Sequence, residues 1–321
     1  MKTWILYRLN GNQISSEFYE VNRLREVGSA RGFDLEVISP EQVELIVTRD
    51  DPKSIRVDGS VVTLPDVLLP RMGAGTTYFA LSVIRQLERF GVPTYNASTA
   101  IETVKDKLHT HQVLSAAKLP IPRTMLAKFP IDLDLVGSVL NFPLVVKTLS
   151  GSQGSGVFLC ESRSNFRDLM ELIQATQANA NFIFQEFVAA SRGSDIRVLV
   201  IGGRVVAAME RTSQGDDFKA NFSQGGSVRE FAIDREAEWL ALESARLLGL
   251  DIAGIDLLKD EDGYKICEAN SSPGFEGIES CCDVDVASEI FQFIELRLHG
   301  TRSKPQITLP KSAPGLVKSE E

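Results

Sequence analysis

Three oxygen-bearing side chains at close spacing, Asp256, Glu268 and Asn270, are the residues of this chain best suited to chemistry. They fall within residues 251–277, where two apolar runs flank Glu261, Asp262 and Gly263. A three-residue hairpin loop with glycine at its last, left-handed position is a favoured connection, so the two runs are expected to pair. In that register Asp256 sits opposite Glu268. Side chains alternate across a strand, which places Asn270 on the same face and turns Ile255, Leu257 and Cys267 the other way. The reading depends on the turn, because a two-residue loop shifts the register by one and throws Asp256 to the opposite face. Hard oxygen donors suit Mg²⁺, which takes one or two carboxylates and fills its octahedron with water and substrate phosphates. The plainer alternative is a solvated hairpin with an acidic outer face. An Asn beside Glu, followed by Ser271, Ser272, Pro273 and Gly274, favours the metal.

A second constellation points to phosphate. Residues 142–148 form an apolar run ending in Lys147 and Thr148, and a glycine-rich turn follows: Gly151, Ser152, Gln153, Gly154, Ser155, Gly156. Small residues let backbone N–H groups approach a phosphate closely. No Gly-Lys-Ser/Thr closes this loop and no helix follows at once, so it is not a Walker A loop. Arg197 and Arg211 are expected to place positive charge along one wall of a cleft, and a polar loop over residues 213–226 contains Lys219 and Asn221. Gln185 and Glu186 interrupt the apolar run 182–188, where a carboxylate needs partners. His109 and His111 are two apart, which on a helix sets them on different faces and argues against a shared metal.

Composition narrows the classes. Forty-three acidic against thirty-four basic side chains give a formal charge of −9, which argues against nucleic-acid binding through a broad basic surface. An anionic substrate then needs a local basic pocket. The four cysteines show no CxxC spacing, so reduced thiols in a cytoplasmic protein are expected. No apolar run approaches the length of a membrane span, about eighteen residues, and the first run is too short for a signal peptide.

The elements that must carry these residues alternate. In residues 1–97 short strands at 4–9, 35–38 and 67–71 alternate with helices at 17–30 and 76–90, which implies a parallel α/β layer. Arg71 ends the third of these strands, where open α/β sheets bind ligands; it reads equally as a surface arginine. Gly73-Ala74-Gly75 opens the next helix, but the third glycine and the later acidic residue of a dinucleotide site are missing. Residues 96–122 read as mostly helical, with Ser98 as N-cap. A helix over 235–248 is expected to bury Trp239, Leu242, Ala245 and Leu248, and a last one spans 284–298. Residues 301–321 are polar and proline-bearing and read as a disordered tail.

The Glu268-x-Asn270 pair with its following Ser-Pro-Gly, preceded by Gly254-x-Asp256, resembles the metal-binding end of the ATP-grasp ligases. Three longer stretches, EANSSPGFEGIE, SDIRVLVIGGRVVAAMER and PLVVKTLSGSQGSGV, resemble its RimK-type branch. The resemblance implies an α/β (α+β) ATP-grasp fold, with an N-terminal parallel α/β domain (1–97) before two α+β domains (98–188 and 189–300) that sandwich ATP. It implies that Lys107 and Lys147 reach the nucleotide phosphates, that the backbone around Glu186 and Phe187 meets adenine, and that Asp195 lies beside the nucleotide. Arg211, Lys219 and Asn221 are implied around phosphate and the amino-acid substrate. The family commonly has Arg-Ser-Asn where this chain has Lys219, Ala220 and Asn221, and a lysine lacks the bidentate fork of arginine. Two Mg²⁺ ions, with Mn²⁺ as an alternative, are implied between the hairpin and the phosphates. The expected reaction activates a carboxylate as an acyl phosphate, which an amine then attacks. Glutamate is the expected amino acid, joined to an amine acceptor such as a peptide or a protein C-terminus; a homo-oligomer is left open. Another ATP-grasp ligase or a non-catalytic nucleotide-binding regulator are the competing readings.

Overall fold

Hydrophobic patterning sorts the chain into three main sheets, each carrying part of the site. The computed structural model describes residues 1–8, 19–47, 49, 54–149, 156–176, 181–214, 218 and 226–302. Gly151, Ser152, Gln153, Gly154, Ser155, Lys219, Asn221 and the tail beyond residue 302 lie outside the described residues.

The N-terminal part contains β1 (Lys2–Leu6), α1 (Tyr19–Ala30), β2 (Asp34–Ile38), a small antiparallel sheet of β3 (Val43–Leu45), β4 (Ile55–Val57) and β5 (Ser60–Val61), then β6 (Val67–Pro70) and α2 (Tyr78–Arg89). Strands β2, β1 and β6 form a parallel sheet in that order, as the alternation of strands and helices predicts. The small β3–β5 sheet was not legible, since each of its strands spans only two or three residues. The connecting segment, helical as expected, is divided into α3 (Ser98–Lys105) and α4 (Lys107–Ala116). The break falls at Asp106, whose carboxylate caps the second helix by accepting from the N–H groups of Leu108 and His109. Ala97, not Ser98, takes the first cap position.

The central sheet is antiparallel, in the order β7 (Thr124–Leu126), β10 (Phe182–Glu186), β8 (Leu144–Thr148), β9 (Val157–Cys160). Helices α5 (Leu133–Leu140) and α6 (Arg163–Thr176) cover one face, where Leu144, Val146, Phe166 and Phe184 pack together. Alternation therefore turns Lys147 and Gln185 to the opposite face.

The third sheet has the order β13 (Ser227–Glu230), β12 (Arg204–Thr212), β11 (Ser194–Ile201), β14 (Ile252–Asp260), β15 (Gly263–Asn270). Helix α7 (Arg235–Leu247), with α3 and α4, covers the face bearing Ile196, Val198, Ile255 and Leu257. The α7 stripe is borne out in part: Ala245 and Leu248 are buried as expected, Ala237, Leu240 and Ala241 complete it, Leu242 is half-buried and Trp239 is exposed. The opposite face is divided. Leu199, Ile201, Met209 and Ile252 pack under α9 (Val286–Arg302), beside α8 (Glu276–Cys281) and the N-terminal sheet. The rest of that face is polar, and it carries the site. Among the described residues, no helix is long and apolar enough to cross a membrane.

Candidate active site

The hairpin β14–β15 sets Asp256 opposite Glu268 and Gly254 opposite Asn270, so the three oxygen-bearing side chains share one face as expected. The route differs from expectation. Asp260 pairs with Gly263, which makes a two-residue loop of Glu261 and Asp262. A one-residue bulge at Cys267 then restores the register between Leu257 and Asp256. That extra residue is why Cys267 does not point away from the cleft: its Sγ lies 3.6 Å from Lys147 Nζ.

The stem of this hairpin is tied to the N-terminal part by one amide. Asn96, almost fully buried, accepts the N–H groups of Asp251 and Ile252 at 2.6 and 2.9 Å, and donates to the carbonyls of Ile252 and Ser271, each at 2.7 Å. One end of β14 and the turn beyond β15 thus share a partner.

Beneath the hairpin lies a buried charge network. Arg197 donates to both oxygens of Asp256, Nε to Oδ1 at 2.8 Å and Nη2 to Oδ2 at 2.7 Å. Arg211 grips Asp195 in the same bidentate manner at 2.6 and 2.7 Å and adds a bond from Nη2 to Asp256 Oδ2 at 3.0 Å. Burial opposes the charge on Asp256, but the two guanidiniums outweigh it and hold its carboxyl well below the ordinary range. Burial pushes Asp195 up, and the charge of Asp256 adds to that, against the pull of Arg211. Arg211 is therefore committed between two carboxylates.

Two lysines approach the hairpin from other elements. Lys107, in the first turn of α4, places Nζ 3.5 Å from Glu268 Oε1. Lys147, at the end of β8, donates to Gln185 Oε1 at 2.6 Å. Gln185 is fixed in turn: its Nε2 donates to Thr124 Oγ1 at 2.9 Å and lies 3.4 Å from His111 Nδ1. His111 Nε2 donates to the bulge carbonyl of Cys267 at 3.1 Å, which leaves Nδ1 as the acceptor of a neutral ring. Burial, reinforced by the charge of Lys147, pushes the His111 pKa down to about 4. Gln185, His111, Thr124 and Cys267 were not singled out for this role; the one hint was a glutamine inside an apolar strand.

At the far end of β10, Glu186 accepts from Arg123 Nε at 2.7 Å and from Lys265 Nζ. Its own N–H donates to the Arg123 carbonyl at 2.9 Å, so a further backbone contact here falls to the Glu186 carbonyl or to Phe187. Gly156 has a positive φ of 73°, and a Cβ there would collide with the Thr148 side chain, so the exit of the glycine-rich turn requires glycine.

The donor set fits a hard divalent cation. Asp256 Oδ1 accepts one hydrogen bond and keeps a lone pair, Glu268 has Lys107 as its partner, and the Asn270 carboxamide oxygen meets no donor among the described residues.

Two family descriptions together match nearly the whole chain: the RimK pre-ATP-grasp domain over residues 1–101 and the RimK-like ATP-grasp domain over residues 104–294. The protein belongs to the RimK-like ATP-grasp family. It is 38% identical over 289 residues to a probable alpha-L-glutamate ligase of Maridesulfovibrio salexigens, covering 90% of this chain and 95% of that one. A probable alpha-L-glutamate ligase of Vibrio vulnificus is 36% identical over 282 residues, with 88% and 93% covered. Among solved structures, the ATP-grasp ligase PsnB, complexed with a phosphomimetic variant of its minimal precursor, Mg and ADP, superimposes with a TM-score of 0.69 at 22% identity, covering 92% of this chain and 97% of that one.

Proposed function

We propose that the protein is an ATP-dependent carboxylate–amine ligase that joins glutamate to an amine acceptor, a peptide or a protein C-terminus, through an acyl phosphate. The observation that carries this reading is the meeting of Lys107 with Glu268 beside Asp256 and Asn270, because a cation and hard oxygen ligands on one wall match a metal-bound triphosphate. Lys147, opposite, carries no carboxylate partner among the described residues and is free to receive a phosphate oxygen in exchange for Gln185. Bound Mg²⁺ would offset phosphate charge between ATP and Asp256, Glu268 and Asn270. Little covalent chemistry falls to the side chains, whose work is positioning and charge stabilisation.

Glutamate as the amino acid follows the names of the relatives. The roles of Gly151, Ser152, Gln153, Gly154, Ser155, Lys219 and Asn221 rest on the family resemblance, as do the adenine contact near Glu186 and Phe187 and domain limits at residues 97, 188 and 300. Arg211 and Asp195 act in this reading as the frame that holds Asp256. The test is ADP release from ATP and Mg²⁺ with Glu, Asp, Gln, Ala and Lys supplied singly, with a glutamyl peptide as acceptor and product masses read from each mixture. Glutamate-dependent release with a product heavier by one or more glutamyl units is expected. A clear preference for Ala or Lys overturns the glutamate assignment, and release with none of them overturns the ligase reading.

A further inference from the structure

The cations of the site divide unevenly. Arg197 and Arg211 are spent on Asp256 and Asp195, and Lys107 faces Glu268, so three cations and three carboxylates offset one another. Lys147 and Arg71 stand outside this balance, for neither has a carboxylate within ion-pair distance among the described residues. Lys147 is accounted for by the nucleotide. Arg71 is not.

Arg71 follows β6 at the carboxyl end of the parallel sheet, where open α/β sheets take their ligands. Its side chain is buried, with 6% of the residue exposed, and its Nε is sequestered from solvent without a hydrogen-bond partner among the described residues. Nη2 donates to the Pro273 carbonyl at 2.5 Å, which fastens the arginine to the turn that follows Asn270. The Phe275 ring lies 5.7 Å from Cζ and orients the guanidinium without neutralising it. Glu20 contributes a favourable field, but its Oε1 is occupied by the Phe275 N–H at 3.1 Å. A buried guanidinium with an idle donor and no carboxylate within ion-pair distance among the described residues is unfavourable in the absence of an anion.

We infer that Arg71 receives a carboxylate of the amino-acid substrate, the one not consumed in the reaction. This rests on the ligase reading. An amino acid activated at one carboxylate keeps its other if it is dicarboxylic, and one that attacks through its amine keeps them all. Either way an anion persists from binding to product, and the guanidinium fork matches it in plane. Placement beside the residues following Asn270 sets that anion at the edge of the metal hairpin.

The test compares wild type, Arg71→Met and Arg71→Lys in ADP release with glutamate and with its α- and γ-monoamides, at fixed acceptor, alongside the KM for ATP and a thermal melt. Arg71→Met is expected to raise the glutamate KM about ten- to a hundredfold, the scale of one charge-assisted hydrogen bond, with the ATP KM changed by less than about twofold. Discrimination against one monoamide should collapse, and discrimination against the other should survive. Arg71→Lys should recover part of both effects. An unchanged glutamate KM, unaltered discrimination against both monoamides, or an ATP KM rising in parallel would overturn the inference and leave Arg71 as a strut for Pro273. If the Met variant does not fold, the Lys variant supplies the same readouts, and wild-type values in it are equally fatal. Failure of the wild type to use glutamate strikes the parent reading instead, and the comparison then runs with the amino acid it does use and that compound's α-amide.

Discussion

Replacing Asp256 or Glu268 by alanine should separate two jobs that the metal reading assigns to neighbouring carboxylates. Glu268 keeps 37% of its side chain exposed and faces Lys107 at 3.5 Å, an ion pair of the kind worth about 0 to 1 kcal/mol. Its removal should leave the melting temperature within about 2 °C of wild type. Turnover should nonetheless disappear, since no other carboxylate on the β14–β15 face can take its place. Asp256 is different, being buried and holding three charge-assisted hydrogen bonds from Arg197 and Arg211. Alanine there strands the largely buried Arg197 and takes one bond from Arg211, which keeps Asp195, and breaking a buried pair from one side costs about 3 to 5 kcal/mol. That should lower the melting temperature by roughly 10 °C. The melts are to be run in chelator without nucleotide, so that bound metal does not contribute, with ADP release at saturating Mg²⁺ as the companion assay. An Asp256→Ala protein that melts with the wild type would refute the charge-network argument. A Glu268→Ala protein that keeps more than a few per cent of wild-type ADP release would refute the metal assignment.

Two further outcomes follow from the network around Lys147. Lys147→Ala should weaken ATP binding or turnover about ten- to a hundredfold with little effect on stability, and Gln185→Leu should do the same in smaller measure by removing the acceptor that aims Nζ; ATP titrations on both proteins check this, and unchanged affinity in Lys147→Ala returns the residue to a structural role. His111 predicts a pH effect. Its folded pKa of about 4 lies below the ordinary 6.5, so the unfolded chain binds the extra proton first; its contribution is fully present above about pH 6.5 and is lost as pH falls towards 4, up to about 3 kcal/mol. Denaturant titrations from pH 7 to 4 should show this slope, and His111→Gln should flatten it; an equal slope in both proteins would assign the acid sensitivity elsewhere.

What was legible in the chain was the local chemistry, and what was not was the partner each charge finds. The parallel layer, the apolar run before Lys147 and the sharing of one face by Glu268 and Asn270 follow from periodicities of two and 3.6, which each segment carries in itself. Trp239 was misplaced because, in a short helix, an alanine stripe through Ala237, Ala241 and Ala245 is a weaker apolar signal than one tryptophan, though small residues let α7 lie close on the sheet.

The charges failed for a more instructive reason. In both hairpins that build the site, a two-residue connection is followed by a one-residue bulge. Past Ile201 and Arg204, unbroken pairing would set Asp195 against Glu210, two acids; the irregularity beyond Val200 and Val205 sets it against Arg211 instead. Past Asp260 and Gly263, unbroken pairing would set Asp256 against Cys267; the bulge sets it against Glu268. A bulge is a choice of backbone conformation that few residue types announce, and Cys267 is held in place by His111, 156 residues earlier in the chain. The residue types that do the chemistry can therefore be read from their order, whereas their facing partners depend on two single-residue offsets that only the packed sheets select.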